Sequence, residues 1–352
     1  MPSLAHFEIP DLEQLLTRQG FKPSHAHRIL RDYFRSGGAP DWETLRVPAG
    51  LRDTLAYEAP AFESLVLTRQ VAEDGTTKLL LGLRDGKRVE AVMMTDHRLD
   101  RVSGCLSSQA GCAMGCDFCA TAKGGLERNL EAGEIVEQFV RLKSEALALG
   151  RTLKTIVFMG MGEPMHNLDN VIAALRRIAS GELGALGWRQ ATVSTVGIVP
   201  GIDRLAAENL RVNLAISLHA PDDETRARIL PTGRRYEIGE IMAAADRYMA
   251  MSGLPAIIQY CLLKDVNDSP AQAGRLAALL DGRRMHVNLI NYNPTGPGLS
   301  GHLYESSGIE RSEAFMDVLR ARRVVAHFRR PRGRDIAAAC GQLLTRHPRK
   351  AH

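Results

Sequence analysis

The sequence predicts an α/β protein, an open partial (β/α)6 barrel preceded by a small helical domain and a β-hairpin extension. Three observations carry that expectation. Beyond residue 97, short apolar runs without clean alternation recur between longer amphipathic stretches, as parallel strands buried on both faces do when helices separate them. Six such runs are too few for a closed eight-stranded barrel. With 352 residues, 45% apolar and 24% charged, the chain has globular composition, long enough for one large domain with appendages, and disorder is excluded.

Taken in order, residues 1–68 read as small helices. Ser24 is placed to cap a helix whose apolar positions Ala26, Ile29, Leu30, Tyr33 and Phe34 share one face, and Gly37-Gly38 ends it. Arg28, Arg31 and Arg35 form a basic stripe on that helix, although the segment as a whole has seven basic and nine acidic residues, so a solvated face explains the stripe equally well. Residues 69–97 hold a hairpin: TKLLLGL and KRVEAVMM flank the turn Arg84-Asp85-Gly86. The barrel is expected over residues 98–335, with strands at 102–107, 155–159, 192–196, 212–218, 256–263 and 286–290 and helices such as 134–149 and 240–251. Residues 336–352 form a C-terminal segment.

Charge is unevenly spread. Residues 320–352 carry ten Lys or Arg and one acid, whereas the whole chain is only +5, which leaves the remainder at −4. A basic end on a near-neutral body suggests a polyanionic partner, nucleic acid first, with a solvated basic tail as the alternative. Aromatic residues make up only 5%, which disfavours a large base-stacking platform. No apolar run is long enough to span a membrane, and MPSLAHFEIPDLEQLL puts acids where a signal peptide has none, so a cytoplasmic protein without a membrane partner is expected.

Cys105, Cys112, Cys116 and Cys119 lie close together, while Cys261 and Cys340 stand alone. Clustered thiols in a reducing compartment are metal ligands or catalysts rather than staples. Cys112, Cys116 and Cys119 have C-x3-C-x2-C spacing in the loop after the first barrel strand, and Gly111 and Gly115 let that loop fold tightly. Three thiolates can hold three irons of a cubane and leave the fourth iron open. The same spacing also fits a zinc site completed by Cys105 or a histidine.

C-x3-C-x2-C after the first strand of a (β/α)6 chain resembles the signature of the radical S-adenosylmethionine (radical SAM) enzymes. Within that superfamily the chain resembles the RlmN/Cfr family of RNA adenine methyltransferases. The likeness rests on C-x6-C-x3-C-x2-C with its internal Ser107-Ser108-Gln109, on Arg128-Asn129-Leu130 and on the run MGMGEP at 159–164. Ser194-Thr195-Val196-Gly197, Ser217-Leu218-His219-Ala220-Pro221 and Ala339-Cys340-Gly341-Gln342-Leu343 extend it, so the motifs span about residues 90–345 in the family's order.

The resemblance implies one [4Fe-4S] cluster on Cys112, Cys116 and Cys119. It implies S-adenosylmethionine bound by Gly162, Glu163, Ser194, Ser217, Leu218, His219 and Asn293; Asn291 competes with Asn293 for the last place. Two molecules of S-adenosylmethionine serve each methylation. One methylates Cys340, a thiolate being the nucleophile that an electron-poor adenine carbon is not. The other yields the radical that takes hydrogen from the S-methyl group. Cys105 would then release the protein–RNA adduct as a Cys105–Cys340 disulfide. Glu90 matches the base that deprotonates the adduct, with an exposed edge-strand acid as its bland alternative, and Cys261 is read as a core thiol.

The N-terminal helices fit an RNA-binding accessory domain. Arg329, Arg330, Arg332 and Arg334 before Cys340, and Arg346, Arg349 and Lys350 after it, are candidates for phosphate contacts. The expected reaction is methylation of carbon 2 of an adenosine in 23S ribosomal RNA, with transfer RNA as a second substrate. An electron donor such as flavodoxin or ferredoxin and a monomeric state are expected too. The rivals are a Cfr-like enzyme acting on carbon 8 and, from another class, a non-catalytic RNA-binding protein stabilised by a metal or metal cluster.

Overall fold

The computed structural model describes residues 1–343. Four helices come first: α1 (Ile9–Arg18), α2 (His25–Ser36), α3 (Trp42–Leu45) and α4 (Ala49–Glu58). Ala26, Ile29, Leu30, Tyr33 and Phe34 are fully buried, as their spacing predicts, and Gly37 closes α2 in the left-handed conformation at φ 71°. Ser24 stands at the N-cap position but makes no side-chain capping bond, a correction to the expected role. Arg28 and Arg35 bond within the helix, to His25 and Asp32, and face solvent together with Arg31.

Strands β1 (Leu65–Val71), β2 (Thr77–Gly82), β3 (Arg88–Thr95) and β4 (Arg101–Cys105) form an antiparallel meander. The hairpin β2–β3 is the expected one. β1 is additional; its side chains are largely exposed, so no buried run marks it in the sequence. After β4 come the short ribbon strands β5 (Gln109–Gly111) and β6 (Leu126–Asn129), with the one-turn helix α5 (Ala120–Lys123) between them. Helix α6 (Ala132–Ala148) then returns the chain to β7 (Thr152–Phe158).

From there strands and helices alternate: α7 (Leu168–Ala179), β8 (Ala191–Thr195), α8 (Val199–Ala207), β9 (Asn213–Ser217), α9 (Asp223–Ile229), α10 (Ile238–Ser252), β10 (Ala256–Leu262), α11 (Pro270–Leu280), β11 (Met285–Asn291), α12 (Gly308–Ala321) and β12 (Val325–Phe328). One ten-stranded sheet runs β1-β2-β3-β4-β7-β8-β9-β10-β11-β12, parallel from β4 onward and open between its outer strands. Among the described residues the parallel strands thus number seven rather than the expected six. The seventh, β12, is four residues long and mostly exposed, so it lacks the buried apolar run that betrays the others.

Leu214, Ala215 and Ile216 are consecutive and completely buried, which happens only when both faces of a strand are covered. The N-terminal helices share this core. The buried Glu137 of α6 accepts hydrogen bonds from Ser3 Oγ and from the backbone N–H of Glu63 and Ser64, and Arg177 of α7 donates to the Ala5 carbonyl. Among the described residues no helix is long and apolar enough to cross a membrane.

Candidate active site

The candidate residues gather at the C-terminal ends of the parallel strands, where α/β folds bind ligands. Cys112, Cys116 and Cys119 occupy the loop between β5 and α5. Gly111 and Gly115 have φ of 80° and 67°, and a Cβ on Gly111 would stand 2.0 Å from the Gly125 carbonyl oxygen, so the loop closes only around glycine there. The Cys119 N–H donates to the Cys116 carbonyl at 3.0 Å. Burial pushes the Cys116 thiol up, and the nearby Cys119 and Cys112 add to that by repulsion between thiolates. Among the described residues no three His, Cys, Asp or Glu side chains converge on a single-ion position. A cubane has a different requirement, one thiolate on each of three irons, and three mutually close thiols on a tight loop fit it.

Ser107-Ser108-Gln109 fastens this loop to the next strand end. Ser107 Oγ donates to the Glu90 carbonyl and accepts from the Met161 N–H, and Gln109 Oε1 accepts from the Glu163 N–H at 2.8 Å. Gly162 follows β7 with φ 99° and abuts Gln109 so closely that a Cβ would lie 2.5 Å from Gln109 Cβ. The Glu163 carboxylate is 2% exposed and accepts from the N–H groups of Met165 (3.0 Å) and Val196 (2.8 Å). Burial raises its pKa to about 7 against the pull of those bonds.

Gly162, Glu163, Ser194, Ser217 and His219 line one cavity together with Cys116, Cys119 and Cys340. The hydroxyls of Ser194 and Ser217 are 3.5 Å apart. His219 sits in the left-handed region at φ 60°, and its Nδ1 accepts from the Cys261 N–H at 3.0 Å, so the neutral ring carries its proton on Nε2. Burial depresses its pKa to about 3 and keeps it neutral. Leu218 is fully buried and does not line this cavity, and its N–H donates to the Gln259 carbonyl at 3.1 Å. The two asparagines separate cleanly. Asn291 accepts from Ser312 Oγ, whereas the buried Asn293 donates to the Cys340 carbonyl at 3.3 Å and keeps an unpartnered Oδ1.

A second cavity is lined by Cys105, Asn293, Arg329, Arg330, Arg332 and Cys340, among others. Cys340 borders both cavities. Its loop is pinned to α5: the Ala120 N–H donates to the Gly341 carbonyl at 2.7 Å and Thr121 Oγ1 to the Leu343 carbonyl at 2.7 Å. Burial lifts the Cys105 thiol to about 12, and the neighbouring Cys340 pushes the same way. All six cysteines are free, so the expected Cys105–Cys340 disulfide is not a standing bond of this structure.

Glu90 departs from its bland alternative. It lies on β3, between β2 and β4, fully buried and ion-paired with Lys78 Nζ at 3.1 Å. Lys78 also donates to the Ala337 carbonyl, three residues before Cys340. Sequence reading missed Lys78 because a lysine alternating into a hairpin strand reads as its solvent face. Cys261, read as a core thiol, is 6% exposed yet contributes to the first cavity's wall. Arg346, Arg349 and Lys350 lie outside the described residues.

An open, mostly parallel barrel with three cysteines in the loop after its first parallel strand defines a radical SAM enzyme. Residues 106–276 match the family model of the Radical SAM superfamily. A solved structure of a radical SAM methyltransferase from Sphaerobacter thermophilus is 41% identical, with a TM-score of 0.91 over 98% of this chain and 100% of that one. The probable dual-specificity RNA methyltransferase RlmN 1 of Opitutus terrae is 60% identical over 97% of this chain and 96% of its own length. The dual-specificity RNA methyltransferase RlmN of Syntrophobacter fumaroxidans is 40% identical over 96% of each chain. This chain belongs to the RlmN family of radical SAM RNA methyltransferases. Membership in a family of enzymes displaces the non-catalytic rival.

Proposed function

We propose that this protein methylates carbon 2 of an adenosine in 23S ribosomal RNA through an S-methylcysteine on Cys340, with transfer RNA as a second substrate. The observation that carries the reading is the position of Cys340 on the walls of both cavities, one shared with Glu163, Ser194, Ser217 and His219, the other with Cys105 and three arginines. A methyl carrier has to face its donor and then its acceptor, and this thiol borders both spaces. The name of the relatives, dual-specificity RNA methyltransferase, supports a second RNA substrate beside the first.

Cys112, Cys116 and Cys119 would hold one [4Fe-4S] cluster per chain. When bound and reduced by an external flavodoxin or ferredoxin, the cluster supplies the electron that splits S-adenosylmethionine into methionine and a 5′-deoxyadenosyl radical. Gly162 and Glu163 hold the methionyl amine, the buried carboxylate attracting its ammonium. Ser194, Ser217, the Leu218 backbone, His219 and Asn293 hold the remainder of the cofactor.

The Cys340 thiolate would first take the methyl group from one S-adenosylmethionine, displacing S-adenosylhomocysteine, which leaves. Cys340 would then hold its S-methyl group for hydrogen abstraction, with 5′-deoxyadenosine as the by-product, and would carry the resulting methylene carbon to the base. Glu90 would take the proton from the adduct, whose unpaired electron would pass to the oxidised flavodoxin or ferredoxin. The Cys105 thiolate would then attack the Cys340 sulfur and break its bond to the methylene carbon, which takes a proton to become the methyl group; the RNA leaves and a disulfide remains for reduction. Arg329, Arg330, Arg332 and Arg334 meet phosphates around the mouth.

In this reading the N-terminal helices (1–68) and the hairpin extension (69–97) are accessory units on the core (98–335), and the enzyme acts as a monomer. Mass spectrometry of RNA digested after anaerobic reaction tests the carbon assignment: 2-methyladenosine is expected, and 8-methyladenosine would transfer the chain to the carbon-8 reaction.

A further inference from the structure

Among the described residues, Gln259 is the one buried side-chain amide whose oxygen and nitrogen both lack a hydrogen-bond partner. It is 2% exposed and lines the first cavity. Gln259 is the fourth residue of β10, in register with Ser217 on β9, and its backbone carbonyl already serves the Leu218 and His219 N–H groups. A buried amide group left unpaired destabilises the fold, and leucine at the same place would avoid that cost. An amide kept there without protein partners is matched to a ligand.

The chemistry of the amide narrows the ligand group. Gln259 is neutral and presents an acceptor beside a donor, so it suits neither the ammonium nor the carboxylate of a methionyl group. Its complement is an edge with an adjoining amino group and ring nitrogen, the pair by which glutamine recognises adenine. We infer that Gln259 reads the adenine edge of S-adenosylmethionine, its oxygen accepting from the 6-amino group and its nitrogen donating to a ring nitrogen. This rests on the reading that the first cavity takes S-adenosylmethionine. The adenine of the RNA offers the same edge, but it approaches Cys340, which is exposed, whereas Gln259 lies in mid-strand two residues below Cys261.

The test is equilibrium binding to the full-length protein, reconstituted anaerobically with iron and sulfide and free of RNA. The probes are S-adenosylhomocysteine and S-inosylhomocysteine, whose 6-oxo group cannot donate. The wild-type protein should prefer the adenosyl probe. Gln259→Leu should bind it about tenfold or more weakly and lose the preference, while the melting temperature of the ligand-free protein stays level or rises. Gln259→Glu, nearly isosteric but without the donor, should weaken adenosyl binding as well, and it carries the test alone if the leucine variant does not fold.

Unchanged affinity and preference in a folded variant would overturn the inference. So would intact S-adenosylhomocysteine binding with a loss confined to RNA methylation, since the amide would then serve the RNA base. Glu163→Ala separates the two levels of the reading. If it loses S-adenosylhomocysteine while the Gln259 variants keep it, only the role of Gln259 falls. If it too binds as the wild-type protein does, the cofactor reading of the cavity falls and takes the inference with it.

Discussion

Gly162→Ala measures how tightly the strand end that presents Glu163 is built. At φ 99° an alanine is strained by about 1–3 kcal/mol whatever surrounds it. Its Cβ would also stand 2.5, 2.7 and 2.8 Å from Cβ, Cγ and the backbone N of Gln109. The backbone atom has no rotamer to escape into, and overpacking of this kind costs about 1–3 kcal/mol more. The sum is about 4 kcal/mol, or roughly 8–16 °C at the 2–4 °C per kcal/mol of large domains. Relief by movement would pull Gln109 Oε1 from the Glu163 N–H, which it meets at 2.8 Å, so cofactor binding should weaken too.

Gly150→Ala is the control. Gly150 has φ 65° and open space where the Cβ would go, so only the left-handed strain of about 1–2 kcal/mol remains. Differential scanning fluorimetry of the two variants, with S-adenosylhomocysteine binding as a second readout, compares them directly. Equal melting shifts, or a Gly162→Ala protein that binds as the wild type does, would refute the reasoning that contact with Gln109 sets the position of Glu163.

The two cysteines of the second cavity have opposite signatures. Cys340→Ala should take up no methyl group and transfer none, whereas Cys105→Ala should still be methylated and attack the base, then accumulate as a protein–RNA species stable to a denaturing gel; multiple turnovers by Cys105→Ala without that species would remove it from the resolving role. Replacing Arg329, Arg330, Arg332 and Arg334 by glutamine should weaken RNA binding and flatten the dependence of log K on log salt. For every phosphate the protein no longer neutralises, the slope should fall by up to about 0.9 on a duplex and about 0.7 on a single strand. An unchanged slope in fluorescence-anisotropy titrations would show that these arginines meet no phosphates.

Sequence alone determined the elements whose information is local. The apolar face of α2, the hairpin β2–β3 and six of the seven parallel strands follow from periodicity and buried runs, and the cysteine spacing isolates the cluster loop. β1 and β12 escaped because they are exposed, and pairing with a neighbour, which defines a strand, leaves no mark on composition when neither face is buried.

Tertiary structure alone decided which polar residues share a space. Gln259 and Lys78 are ordinary letters in strand patterns until the sheet register sets one beside Ser217 and the other against Glu90 and the Ala337 carbonyl. The separate surroundings of Asn291 and Asn293 have the same origin, since residues at i and i+2 around a strand end part company where the chain leaves the sheet, one toward Ser312 and the other toward Cys340. Cys105 and Cys340 are separated by most of the chain, and only the curling of the sheet from β4 to β12 brings them to one cavity. Spacing along a sequence specifies what a single loop or helix face can hold; contacts between distant strand ends depend on register and curvature, which are properties of the assembled sheet.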